Sequence, residues 1–123
     1  MQRFVIILFT FFSFLATSNA YGQDFVAGFE DIPLYKGMTQ QTNNDISFNN
    51  EETRYIETTI TSNKKISIND FKSFYIETLQ ELGWNLKDNN DNLLKFYREN
   101  DILDFKIVKN TPLKVLISMK NRY

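Results

Sequence analysis

The chain has 123 residues, no Cys, no His and a formal net charge of −1. It therefore lacks the thiol and imidazole groups used in Ser-His-Asp and Cys-His catalysis, thiol redox chemistry and the common zinc sites, and it has no disulfide framework. The near balance of 14 Lys+Arg and 15 Asp+Glu gives no bulk attraction to nucleic acid or to an anionic membrane, and the length fits one domain.

Residues 1–20 read as a signal peptide. Arg3 makes a short positive start, Phe4–Ala16 is a continuous apolar run, and Ser18 and Ala20 are small residues placed for cleavage after Ala20. The run is short for a bilayer-spanning helix, which needs about 20 residues. An uncleaved N-terminal anchor is the alternative. No Cys follows the cleavage site, so no lipid anchor is expected. Removing Arg3, the one charged residue of the segment, takes the net charge from −1 to about −2. An exported chain without disulfides fits a bacterial periplasm better than a eukaryotic secretory route.

Residues 21–44 have no clean period. Gly28, Pro33 and Gly37 interrupt the apolar Phe25, Phe29, Ile32, Leu34 and Met38. The segment reads as an irregular N-terminal arm across the core, ending in a polar linker at Thr39–Asn44. A partner-binding strap is the functional alternative for it. Residues 45–123 read as an α+β domain. Ile46–Phe48 is a short strand with both apolar side chains on one side, followed by a turn at Asn49–Glu52. Arg54–Thr61 alternates, with Ile56, Thr58 and Ile60 opposite Tyr55, Glu57 and Thr59.

Ser67–Trp84 carries a full set of helix signals. Ser67 and Asp70 form a capping-box pattern, and Ile66 and Phe71 a hydrophobic staple. Ile68, Phe71, Phe74, Tyr75, Thr78, Leu79 and Leu82 share one face. Gly83 is a left-handed stop, with Trp84 placed to fold back on Leu79. Beyond it, Leu86 continues a short extended piece and Asp88–Asn92 is a polar turn. Three alternating strands follow, at Leu93–Arg98, Ile102–Lys109 and Leu113–Met119. They present Leu94, Phe96, Leu103, Phe105, Ile107, Leu113, Val115, Ile117 and Met119 to one side. The predicted fold is a two-layer α+β domain in the order β-β-α-β-β-β-β, a mostly antiparallel sheet covered on one face by a single amphipathic helix.

No stretch carries a catalytic arrangement. Glu77 and Glu81 lie one turn apart on the polar helix face, whereas an acid–base pair needs a cleft. Asp88–Asn92 is oxygen-rich but lacks the spacing of a calcium loop, and the glycines are scattered singly. The open sheet face remains. Tyr55, Lys95, Tyr97, Lys106 and Lys114 are its candidate ligand-binding residues, since aromatics interleaved with Lys resemble a nucleic-acid or glycan platform. Export argues against nucleic acid, and Glu57 and Asp104 offset the lysines. Cross-strand pairing explains the same pattern.

The opening Asp31-Ile-Pro33-Leu-Tyr-Lys-Gly37-Met38, the helix ending Phe74-Tyr75…Leu79…Leu82-Gly83-Trp84 and the hairpin Phe96-Tyr97-Arg98-Glu99 resemble small exported proteins of alphaproteobacteria. The resemblance spans most of residues 29–117. It implies export and an α+β fold, and it carries no activity. The sequence as a whole predicts a non-enzymatic periplasmic protein acting through contacts with another envelope protein. The rival reading is a module that binds an anionic envelope polymer or lipid head group on the open sheet face. Neither needs a cofactor or a metal, and neither involves nucleic acid or stable membrane insertion after signal cleavage.

Overall fold

The computed structural model describes residues 24–121, so the signal segment 1–20 lies outside the described residues. The elements are β1 (Met38–Asn49), β2 (Arg54–Ser62), α1 (Ile68–Glu81), β3 (Asn85–Asn90), β4 (Leu93–Arg98), β5 (Asp101–Asn110) and β6 (Leu113–Asn121). The strands form one antiparallel sheet in the order β1-β2-β6-β5-β4-β3. Strands β3 to β6 are a meander, and α1 carries the chain from β2 to the far edge where β3 begins. This is the predicted α+β order.

Helix α1 starts and stops as its sequence dictates. The Ser67 side chain accepts a bond from the Asp70 amide at 3.2 Å. At the other end, Gly83 N–H bonds Gln80 O at 3.1 Å and Trp84 N–H bonds Leu79 O at 2.9 Å. Gly83 has φ +92°, a conformation in which a Cβ is strained. Phe71, Tyr75 and Leu79 are buried against the sheet, and Leu82, expected on the same face, is 39% exposed.

The inner face of the sheet supplies the opposite wall of the core. Leu94, Phe96, Leu103, Phe105, Ile107, Leu113, Val115, Ile117 and Met119 are all buried, the alternation predicted for β4, β5 and β6. The arm before β1 completes the cover, with Val26, Phe29 and Ile32 in the same core. It is a small loop closed on itself by Val26 N–H to Ile32 O and Leu34 N–H to Asp24 O, both 2.9 Å. Four side chains tie it down, the first being Arg54 of β2, 3.4 Å from Glu30. The Tyr75 hydroxyl donates to Pro33 O at 2.8 Å and accepts from Tyr35 N–H at 3.0 Å. The Gln40 amide bonds the Ala27 N–H at 2.8 Å and the Ala27 carbonyl at 3.1 Å. Arg98 reaches Asp31 at 2.9 Å while lying over the Trp84 ring, 4.2 Å from its centroid.

Two edges differ from the sequence expectation. Thr39–Asn44 is no linker but the first half of β1. Asp88–Asn90 belongs to β3, which leaves Asp91 and Asn92 as the turn. Both are sheet edges, almost wholly exposed, so neither needs an apolar face and neither shows one in its sequence.

Phe71→Ala or Leu79→Ala is expected to cost about 2–5 kcal/mol, while Glu77→Gln and Glu81→Gln stay within about 0.5 kcal/mol. Urea denaturation checks the contrast. Burial holds the Tyr75 phenol well above the usual tyrosine range. Unfolding frees that phenol to ionise near pH ~10. Its contribution is therefore complete below that pH and declines as pH rises through it. Tyr75→Phe should lose about 1–3 kcal/mol at neutral pH, because Tyr35 N–H and Pro33 O lose their partner. Its deficit should shrink above pH ~10. Denaturation midpoints of both proteins across that range test the sign, and a widening gap contradicts it.

Candidate interaction surface

The outer face of the sheet carries no helix among the described residues, and its rows follow from the strand register. The first row reads Phe48, Tyr55, Lys120, Ile102, Tyr97 across β1, β2, β6, β5 and β4. The second reads Ile46, Glu57, Ser118, Asp104, Lys95, Asp88. The third reads Gln41, Thr59, Leu116, Lys106, Leu93, and the last contains Thr39, Thr61, Lys114 and Lys109.

Ile46 and Phe48 share a face, as their spacing predicts, but it is the outer one. The register explains why. Gln41 pairs with Thr59 and Ile46 with Glu57, so four residues of β1 stand opposite the single Thr58. Three surplus residues are an odd number, which reverses the side to which the later residues point. Met38, before the bulge, is buried, while Ile46 is 49% and Phe48 52% exposed. The bulge is held by a polar chain. The Thr58 hydroxyl donates to Asp45 at 2.6 Å and receives a bond from the Gln40 amide at 3.0 Å. Thr58 is buried, so this chain satisfies a hydroxyl that would otherwise be costly inside the core.

The five sequence candidates do not meet in one site. Tyr55 donates its hydroxyl to Glu57 in a short contact. Partial burial first, and then the Glu57 carboxylate, hold the Tyr55 phenol above its usual range. Lys95 is paired with Asp104 at 3.4 Å, both side chains being largely covered. The ring of Tyr97 faces Lys87, whose ammonium lies 5.5 Å from the ring centroid. Lys106 and Lys114 lie in the third and last rows, on the part of the face nearest the β5–β6 turn. Sequence alternation placed all five on the outer face, but it could not show that their partners sit in the same rows.

The face thus has three zones. Phe48, Tyr55, Ile102 and Tyr97 form a mixed aromatic and apolar strip, interrupted by the exposed Lys120 between Tyr55 and Ile102, with Ile46 beside it. In the middle row Lys95 is paired with Asp104, and Glu57 accepts from Tyr55 of the row beside it. The third zone is lysine-rich. Elsewhere, a shallow groove is lined by Gln80, Trp84, Asn85, Leu86 and Lys87, and a second by Asn50, Glu51 and Glu52. Among the described residues no group of three or more His, Cys, Asp or Glu side chains could hold a metal ion, and no helix is long and apolar enough to cross a membrane. Comparison with family models, with curated proteins and with solved structures finds no match.

Proposed function

We propose that this chain is a non-enzymatic exported domain, periplasmic in location, that works by binding another envelope protein through the apolar strip of its outer sheet face. The observation behind this reading is the outward turn of Ile46 and Phe48, each about half exposed. A bulge held by a hydrogen-bond chain through the buried Thr58 hydroxyl sets their direction. They adjoin Tyr55, and beyond Lys120 the row goes on to Ile102 and Tyr97, so a partner that covers the strip removes apolar area on both sides of that lysine from water. Aromatic anchors of this kind supply much of the binding energy in protein interfaces. Full burial of a side chain such as Ile46 or Phe48 is worth roughly 1.5–3 kcal/mol. The export part of the reading rests on Arg3, the apolar run 4–16 and the small residues Ser18 and Ala20.

Ile46→Asp with Phe48→Asp is the expected separation of binding from folding. Both side chains are exposed, so the melting temperature should stay close to that of the parent. Chemical cross-linking in the envelope fraction should give a defined adduct with the parent and none with the double variant. An identical set of adducts from both proteins would overturn the assignment of this strip.

A further inference from the structure

Three lysines of the outer face gather at one end of the sheet, a property invisible in a net charge of −1. The antiparallel register puts the β1–β2 turn, with Glu51 and Glu52, at one end together with the β4–β5 turn and its Asp101. The opposite end holds the β5–β6 turn, the loop from β2 into α1 and the β3–β4 turn, where Asp91 is exposed and Asn92 O accepts from Ile107 N–H at 2.8 Å. Lys106, Lys109 and Lys114 lie on the outer face there, and Lys64 and Lys65 follow in the loop beside them, because Thr61 pairs with Lys114. Lys106, Lys109 and Lys114 are all exposed and have no ion-pair partner among the described residues.

Two details show that this end is not ordinary sheet surface. Lys109 stands directly opposite Lys114, a pairing of like charges that weakens a sheet. It arises from a bulge. Ile107 pairs with Val115 and Lys109 with Lys114, so Val108 is an extra residue. Without that residue Lys109 would point to the core side. The bulge brings a third ammonium onto the outer face and leaves Val108 56% exposed beside it.

We infer that this end docks on the surface of an anionic phospholipid bilayer, with the lysines at the head-group phosphates and Val108 at the interface. The charge complementarity is local: Lys64, Lys65, Lys106, Lys109 and Lys114 outnumber Asp70 and Asp91 at this end, while Glu51, Glu52 and Asp101 lie at the far one. Lysines near an anionic leaflet are each attracted to it, within about a Debye length. An apolar side chain among them distinguishes a bilayer from a soluble polyanion, which offers charge alone. This surface is separate from the strip assigned to a protein partner.

The chain has no Cys, so Val108→Cys gives a single attachment point for a polarity-sensitive fluorophore, and Glu51→Cys gives the control at the other end. Vesicles of phosphatidylglycerol and phosphatidylcholine should shift the emission of the label at position 108 to the blue and leave that at 51 unchanged. Pure phosphatidylcholine should shift neither label. Adding Lys106→Ala, Lys109→Ala and Lys114→Ala should weaken the response at 108 by roughly a hundredfold in lipid concentration at low salt. An equal response to neutral vesicles, an equal response at position 51, or a response that survives the three substitutions would overturn the inference. Binding of inorganic polyphosphate with no response to anionic vesicles would overturn the bilayer in favour of a soluble anion.

Discussion

The Tyr75 hydroxyl lies where helix, sheet and arm meet, and its two hydrogen bonds fix how the three are stacked. The ring stands 4.4 Å, centroid to centroid, from Phe105 on the inner face of the sheet. It is flanked by Phe71 at 5.0 Å and Phe74 at 4.9 Å on its own helix. Tyr35 of the arm closes the group, 5.4 Å from Phe71 and 5.2 Å from Phe74. A phenylalanine would fill the same volume. Only a hydroxyl can satisfy the Pro33 carbonyl and the Tyr35 amide where the arm passes over the helix. Buried polar backbone has to be paired, so the arm can enter the core only because the helix brings it a partner. The Gln40 amide and Arg98 repeat the device at two other points, on Ala27 and on Asp31.

Once the inner face is closed in this way, the outer face is what the sheet has left to offer. Its composition is set by register as much as by sequence. The β1 bulge sends Ile46 and Phe48 outward, and the β5 bulge does the same for Lys109. In β3, Lys87 is a surplus residue between Leu86 and Asp88, and it brings Asp88 onto the outer face opposite Lys95. Each irregularity moves a side chain to a face that strict alternation would deny it. In the middle of the outer face, by contrast, Lys95 is held by Asp104 and Glu57 by the Tyr55 hydroxyl of the neighbouring row.

The helix and the strands β4 to β6 were legible in the sequence because each has one buried face and its period shows it. The caps of α1 were legible in detail, since Ser67, Asp70 and Gly83 each have one local task. β1 and most of β3 were not, because an edge strand with little of its surface buried has no apolar period to display. Ile46 and Phe48 could be placed on a common face but not on the right one, since a three-residue surplus within a polar stretch leaves no mark in residue type. Lys106 and Lys114 were found by alternation, while their gathering with Lys109 at one end was hidden, because it depends on a bulge and on which turns share an end of the sheet. Ala27 and Gln40 gave no signal at all. An amide that grips a distant peptide group looks like any other surface glutamine until the chain is folded.

The central claim is that the arm is part of the core and is held there by the Tyr75 hydroxyl. Hydrogen exchange at the backbone amides of the parent and of Tyr75→Phe tests it directly. The account predicts that Val26, Ile32, Leu34 and Tyr35 lose protection in the variant while the amides of β5 and β6 keep theirs. Unchanged protection in the arm, or a uniform loss across arm and sheet alike, would contradict it.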